Sequence, residues 1–207
     1  MVEQRFRKPQ VASSILAVGF LSTMQIKTIK VGSLQTNCYV VIDEKSREAL
    51  VIDPGAEAEN ILPEIKGLKV CAILITHGHP DHFGALDEVK KETGAPILMA
   101  PEDGWFFKPD KEIKEGDKIK VGELTFSVLE TPGHSGGSVC LYIPGHLFAG
   151  DTLFAEGCGR TDLPGGSTPK MRQSLTKLAN LPEDTIVYPG HDEFTTIKKE
   201  KERGTLG

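Results

Sequence analysis

No apolar run in this chain reaches the roughly 18 residues that a membrane-spanning helix requires, so no such helix is expected. Cysteine is scarce: Cys38, Cys71, Cys140 and Cys158 are widely spaced and include no CxxC pair. Three of them sit in apolar, strand-like runs, where a free thiol behaves as a small buried hydrophobe. That pattern argues against a disulfide framework and for a reducing compartment, and a cytoplasmic location is the expectation. A basic excess is also missing. Lys+Arg 24 against Asp+Glu 29 leaves a net charge of −5, so neither nucleic acid nor an anionic membrane is the expected partner. Repeats, heptad seams and low-complexity linkers are absent.

What remains is ordinary globular composition. Hydrophobic residues make up 39% and charged residues 26% of 207 residues, enough chain to bury a sizeable core in one domain. That domain is expected over residues 24–207. Residues 1–23 read separately: Arg5, Arg7 and Lys8 precede VASSILAVGFL, which loosely imitates a signal peptide. Ser13, Ser14 and Gly19 dilute its apolar part, and no A-x-A site follows. An extension outside the fold, an export signal and an extra edge element are the three readings, and Met24 is an alternative start.

From residue 25 onward, short β-branched runs alternate with turn residues. Strands are expected at 26–31, 37–43, 48–53, 70–77, 95–100 and 185–191. Hairpins are expected over 118–131, turning at Gly122-Glu123, and over 137–151, turning at Pro144-Gly145. Helices are expected at 59–67, 83–94 and 169–181, with a glycine-rich loop at 156–167. Two runs of strands separated by helices suggest two sheets face to face with helices outside.

The strongest signal is THGHPDH at 76–82, which places His77, His79, Asp81 and His82 directly after a buried strand. Imidazole and carboxylate suit zinc or iron at neutral pH, and no thiol lies in the motif. A lone histidine would most simply be a polar loop residue or a satisfied core group. Three beside an aspartate within six residues point to a metal. His134 in TPGH, Asp151 in FAGD and His191 in YPGH occupy the same context, each just past an expected strand. Glycine before them lets the backbone approach a metal without a side-chain clash. The sixth histidine, His146, lies inside a hairpin and reads as a surface residue.

With HGHPDH, His134, Asp151 and His191 in place, the chain resembles the metallo-β-lactamase-fold hydrolases over about residues 26–199. The resemblance implies an α+β (α/β) four-layer αββα sandwich. It implies one metal site from His77, His79 and His134, a second from Asp81, His82 and His191, and Asp151 bridging them. Two divalent ions are implied, zinc first, with iron or manganese as alternatives; Asp81 would also orient the nucleophile.

FAGDTLFAEGCGRTD further resembles the segment after the bridging aspartate in glyoxalase II enzymes, the hydroxyacylglutathione hydrolases. A small-molecule thioester is the implied substrate. Arg160 stands where those enzymes carry the lysine of GCGK, which implies a contact with a glutathione carboxylate or backbone. A surface salt bridge or loop anchor is the plainer role for it. Asp162 replaces a tyrosine of that family, and its charge would weaken binding of an anionic thiol or pair with Arg160. Sixteen residues follow His191, too few for the helical domain of full-length glyoxalase II, so the short single-domain form is expected.

GCGRTD also resembles the mononuclear-iron persulfide dioxygenases, in which His77, His134 and Asp151 would hold the iron. A non-catalytic metal-binding module is a third reading. It would be marked by loss of a ligand, and none is missing.

Overall fold

The computed structural model describes residues 23–104 and 106–206. The extension, signal and edge-element readings concern residues 1–23, of which 1–22 lie outside the described residues. One sheet runs β1 (Met24–Val31), β2 (Thr36–Asp43), β3 (Glu48–Ile52), β4 (Lys69–Leu74), β5 (Ile97–Met99) and β6 (Lys111–Glu112) in spatial order. The other contains β7 (Lys118–Val121), β8 (Leu124–Glu130), β9 (Val139–Ile143), β10 (His146–Gly150), β11 (Ile186–Pro189) and β12 (Thr195–Thr196), also in chain order. Among the described residues four α-helices flank them: α1 (Ala58–Ile65), α2 (Leu86–Thr93), α3 (Thr168–Ala179) and α4 (Ile197–Glu202).

Period-two alternation explains the layering. In β2, Tyr39 and Val41 point between the sheets, into a core shared with Phe126, Leu141 and Phe148 of the second sheet. Their neighbours Cys38, Val40 and Ile42 point outward, onto Ile61 and Ile65 of α1 and Leu86 and Val89 of α2. On the far side Leu147, Ala149 and Val187 meet Met171, Leu175 and Leu178 of α3. Three apolar layers between four structural ones make an αββα sandwich. All eight residues of β2 are buried, as for a strand covered on both faces.

Topology brings the chemistry-bearing residues to one end. β3 and β4 run parallel, and so do β10 and β11. Their carboxyl ends therefore coincide, and the residues just beyond them gather there. Two main-chain bonds join the sheets at that end: Val139 N donates to Thr76 O at 3.0 Å and Asn37 N to Gly190 O at 2.7 Å.

Several boundaries differ from the sequence expectation. β4 stops at Leu74, leaving His77 on the loop beyond it, and β5 keeps only three residues. The second helix begins at Leu86 because Pro80–His82 first form a 3₁₀ turn, with Phe83 N bonded to Pro80 O at 3.3 Å. β6 and β12 are two-residue strands with too little length to show alternation. His146 is not a surface bystander. It is half-buried, with Nδ1 3.0 Å from the Tyr188 hydroxyl and its ring stacked on that tyrosine at 5.7 Å.

The charged segment after residue 196 forms α4, capped by the Thr196 side chain and anchored by the fully buried Glu200. The Glu200 carboxylate accepts from Thr195 Oγ1 at 2.6 Å, Arg203 Nη1 at 2.8 Å, Thr205 Oγ1 at 2.9 Å and Glu156 N at 3.0 Å. Burial acts to raise its pKa, but the bonds from Thr195, Thr205, Arg203 and Glu156 outweigh it and hold the carboxyl below its ordinary value. A lowered folded-state pKa adds stability above the unfolded value, and that stability is lost as pH falls through the folded one. Glu200→Gln is therefore expected to cost about 1–3 kcal/mol at pH 7, with the gap from the unaltered protein narrowing below about pH 4.5. Urea unfolding at pH 7 and pH 4 checks this, and a gap independent of pH contradicts it.

Candidate metal centre

The residues singled out by the sequence converge. His77, His79 and His134 bring one ligand atom each within 4.8 Å of one another, and so do Asp81, His82 and His191. A third set, His77, His82 and Asp151, overlaps both. His79 Nδ1 lies 3.1 Å from His77 Nε2 and 2.8 Å from His134 Nε2. In the second group Asp81 Oδ2 is 3.5 Å from His82 Nε2 and 3.3 Å from His191 Nε2. Donors held about 2.0–2.1 Å from a tetrahedral ion would stand roughly 3.3 Å apart, so the spacings fit. Asp151 sits between the groups, 3.4 Å from His134 Nε2, 3.4 Å from His82 Nε2 and 3.5 Å from His191 Nε2.

Four of the five rings are oriented from behind. His134 Nδ1 donates to Arg160 O at 2.8 Å, and His191 Nδ1 to Leu34 O at 3.1 Å. His82 Nδ1 donates to Asp53 Oδ2 at 2.9 Å. Thr76 Oγ1 gives its proton to the same carboxylate oxygen at 2.7 Å, so it accepts from His77 Nδ1 at 3.1 Å. These partners hold the Nδ1 proton of four rings outward and leave Nε2 facing inward, the arrangement metal-binding histidines use. Behind Asp81, Thr36 Oγ1 donates at 3.1 Å.

The donor chemistry also fits a cation. His82 Nε2 and Asp151 Oδ1 are buried without a hydrogen-bond partner, which is costly unless something positive lies between them. Burial, then the neighbouring His82, His134, His79 and His191 rings, push His77 well below its ordinary pKa. Burial and His134 lower His79 as well. Burial opposes protonation of His82, yet the Asp53 and Asp151 carboxylates raise it to about 9. The bond to Asp81 raises His191. Burial would raise Asp81, but His191, His82 and Thr36 together hold it far below the usual carboxylate range. The carboxylates thus favour the protonated form of both rings when no cation is bound, and a metal would compete with those protons.

Glycines shape the site in two different ways. A Cβ on Gly190 would stand 2.2 Å from Asp151 Oδ1 and 2.8 Å from His82 Cε1, so the close approach expected before His191 is real. Gly133, before His134, answers to something else: its Cβ would strike the Met171 backbone of α3 at 2.5 Å. Helix packing, not access to a metal, requires that glycine.

Asp53 carries no site signature in the sequence, where it reads as the end of a strand. It lies one residue past β3 with φ 51°, a left-handed conformation that aspartate tolerates better than most residues. Besides His82 and Thr76 Oγ1, it accepts from Thr76 N at 2.8 Å. The available signal was DPG after a buried strand: a Cβ on Gly55 would stand 1.9 Å from Asp81 O, so this turn backs the HPDH segment. Arg160 stands on the edge of the site. Its carbonyl holds His134, while its side chain, 64% exposed, makes a two-pronged pair with Asp162 at 2.8 and 2.7 Å. Of the alternatives raised for Asp162, the pairing with Arg160 is the one present in this loop.

A family description, the Metallo-beta-lactamase superfamily, matches residues 31–191 with all of these side chains inside it. The chain belongs to the metallo-β-lactamase superfamily. Among its relatives, an uncharacterized protein of Aquifex aeolicus is 45% identical over 86% of this chain and 94% of its own. The hydroxyacylglutathione hydrolase GloC of Haemophilus influenzae is 34% identical over 86% and 95%. A hydroxyacylglutathione hydrolase of Methylobacillus flagellatus is 41% identical over 74% of this chain and 62% of its own.

Solved metallo-β-lactamase-superfamily folds agree with the architecture. BLEG-1, described as a B3 metallo-beta-lactamase, superposes with TM-score 0.79 at 36% identity, covering 86% of this chain and 97% of that one. ETHE1 from Myxococcus xanthus gives 0.81 at 32% identity over 87% and 83%. TTHA1623, solved in a di-iron-bound form, gives 0.77 at 34% identity over 86% and 98%. The metallo-β-lactamase fold is thus the fold of this superfamily member, and its His/Asp cluster is a candidate divalent-metal centre. No helix among the described residues is long and apolar enough to cross a membrane.

Proposed function

We propose that this superfamily member is a metal-dependent hydrolase that cleaves thioesters of the hydroxyacylglutathione type. The observation that carries the reading is Asp151, which stands within 3.5 Å of ring nitrogens from both ligand groups, so one carboxylate can serve two metals. Hydroxyacylglutathione hydrolases among the relatives supply the substrate class. His77, His79 and His134 would hold one ion, and Asp81, His82 and His191 the other, with zinc the first candidate and iron or manganese the alternatives. Two such ions, when bound, lower the pKa of a water and polarise a carbonyl.

The chain's own residues supply the rest. Asp81, kept ionised by its neighbours and held by Thr36, orients the attacking water and accepts its hydrogen bond. The water oxygen adds to the thioester carbon and releases its protons to solvent, the carbon–sulfur bond breaks, and the sulfur leaves with the bonding pair. A thiolate is a stable leaving group, so no strong general acid is required. Arg160 at the rim would meet an anionic group on the thiol part of the substrate.

Its pairing with Asp162 predicts a limited effect. Arg160→Ala is expected to raise KM for an anionic thioester several-fold while kcat changes little, and steady-state kinetics check this. An unchanged KM returns Arg160 to its anchoring role alone.

ETHE1 among the structural neighbours sustains a second reading, a mononuclear-iron persulfide dioxygenase using His77, His134 and Asp151. Metal content and a thioester panel separate the two. Two ions per chain with thioester turnover support hydrolysis. One iron per chain, with oxygen consumed in the presence of glutathione persulfide, overturns it.

A further inference from the structure

Asp103 has no place in the metal centre, yet it is 4% exposed and fully engaged. It closes a single 3₁₀ turn, Pro101–Asp103, that follows β5. Its Oδ2 accepts from Gly78 N at 3.0 Å and from Ser135 Oγ at 2.5 Å, and its Oδ1 accepts from Gly137 N at 2.8 Å. Gly78 lies between His77 and His79, and Ser135 directly follows His134. One carboxylate therefore holds the two loops that carry all three histidines of the first group.

The backbone is fitted to this contact from both sides. A Cβ on Gly78 would stand 2.6 Å from Asp103 O, and one on Gly137 would stand 2.9 Å from Asp103 Cγ. Neither loop could approach Asp103 with an ordinary side chain there. The second group, Asp81, His82 and His191, has different supports: Thr36, Asp53 and Leu34 O. The loop at Gly78 also carries Asp81 and His82, and Asp53 reaches His77 through Thr76, but Gly78 is flanked directly by His77 and His79, whereas Asp81 and His82 sit further on in the 3₁₀ turn Pro80–His82 with supports of their own.

We propose that Asp103 is a positioning residue that sets the spacing of His77, His79 and His134 by binding both loops that carry them. The inference rests on the metal-centre reading above for the presence of an ion in that group. An asparagine is the sharp test because it keeps the shape and loses the chemistry. Three donors converge on the two carboxylate oxygens, and an amide NH₂ must then face at least one of them.

The experiment is a zinc titration of the metal-stripped full chain in competition with a chromogenic chelator, with cobalt(II) absorption as a second readout. His79→Ala identifies which binding step belongs to the first group. Asp103→Asn is expected to weaken that same step by roughly 10–100-fold and to leave the other step in place. The cobalt spectrum of the affected site should shift accordingly. Ser135→Ala, which removes one of the three donors, should weaken the same step by a smaller factor and carries the test should the asparagine variant not fold.

Equal weakening of both steps, or of neither, overturns the positioning role while leaving the metal-dependent hydrolase reading intact. A native chain that binds no zinc or cobalt at all overturns both.

Discussion

Replacing His79 by alanine is expected to lower thioester turnover by roughly 10³-fold or more, the scale of losing a group that acts as part of a catalytic unit. Geometry explains why the loss should be chemical and not structural. Among the described residues, the ring contacts of His79 are with His77 and His134, both inside the cluster. It is half-buried, on the loop beyond β4 and outside the strands and helices that build the sandwich. Circular dichroism and the urea midpoint should therefore stay close to those of the metal-stripped native chain. Turnover at the native rate would remove His79 from the first group.

Asp53→Ala should do the opposite, striking the fold first. Three donors lose their acceptor in a buried place: Thr76 N, Thr76 Oγ1 and His82 Nδ1. Breaking a buried charged partnership costs about 3–5 kcal/mol, enough to lower Tm by roughly 10 °C in a chain of this size. Asp53→Asn separates orientation from stability. With its oxygen kept on Thr76 N, the amide would donate toward His82 Nδ1 and favour the wrong tautomer, with the proton on Nε2 facing inward. Metal affinity of the second group should fall by roughly 10–100-fold in a chain that still folds, and because the same NH₂ faces Thr76 Oγ1, the partner of His77, the first group should weaken as well. Thermal unfolding of the metal-free variants, followed by zinc titration, checks both halves. A Tm within about 2 °C of native for the alanine variant contradicts the assigned load on Asp53.

Much of the centre was legible because its chemistry is dense along the chain. HGHPDH packs four candidate ligands into six residues, and His134, Asp151 and His191 each follow a readable strand. The supports were not legible. Asp53 and Asp103 act through hydrogen bonds across 23 to 34 positions of sequence, which no local spacing reports. The sandwich followed from alternation in strands such as β2, whereas β6 and β12 were invisible because two residues cannot alternate. α4 escaped for a related reason: IKKEKE shows almost no apolar face, and its anchor is a charged residue, Glu200, buried against hydroxyls and an arginine. His146 misled because a histidine in a hairpin gives no hint of the tyrosine across the parallel strand.

One arrangement described above reaches beyond catalysis. His77, His79, Asp81 and His82 belong to the half of the chain that builds the first sheet, and His134, Asp151 and His191 to the half that builds the second. Every candidate ligand group draws from both halves. Neither half could assemble a site alone, so an ion bound there would be a rivet through the sandwich, its affinity counted into the free energy of keeping the sheets together. Loading with metal and closure of the fold would then be one event seen from two sides. A chain deprived of ions would be less resistant to heat and proteases as well as inactive.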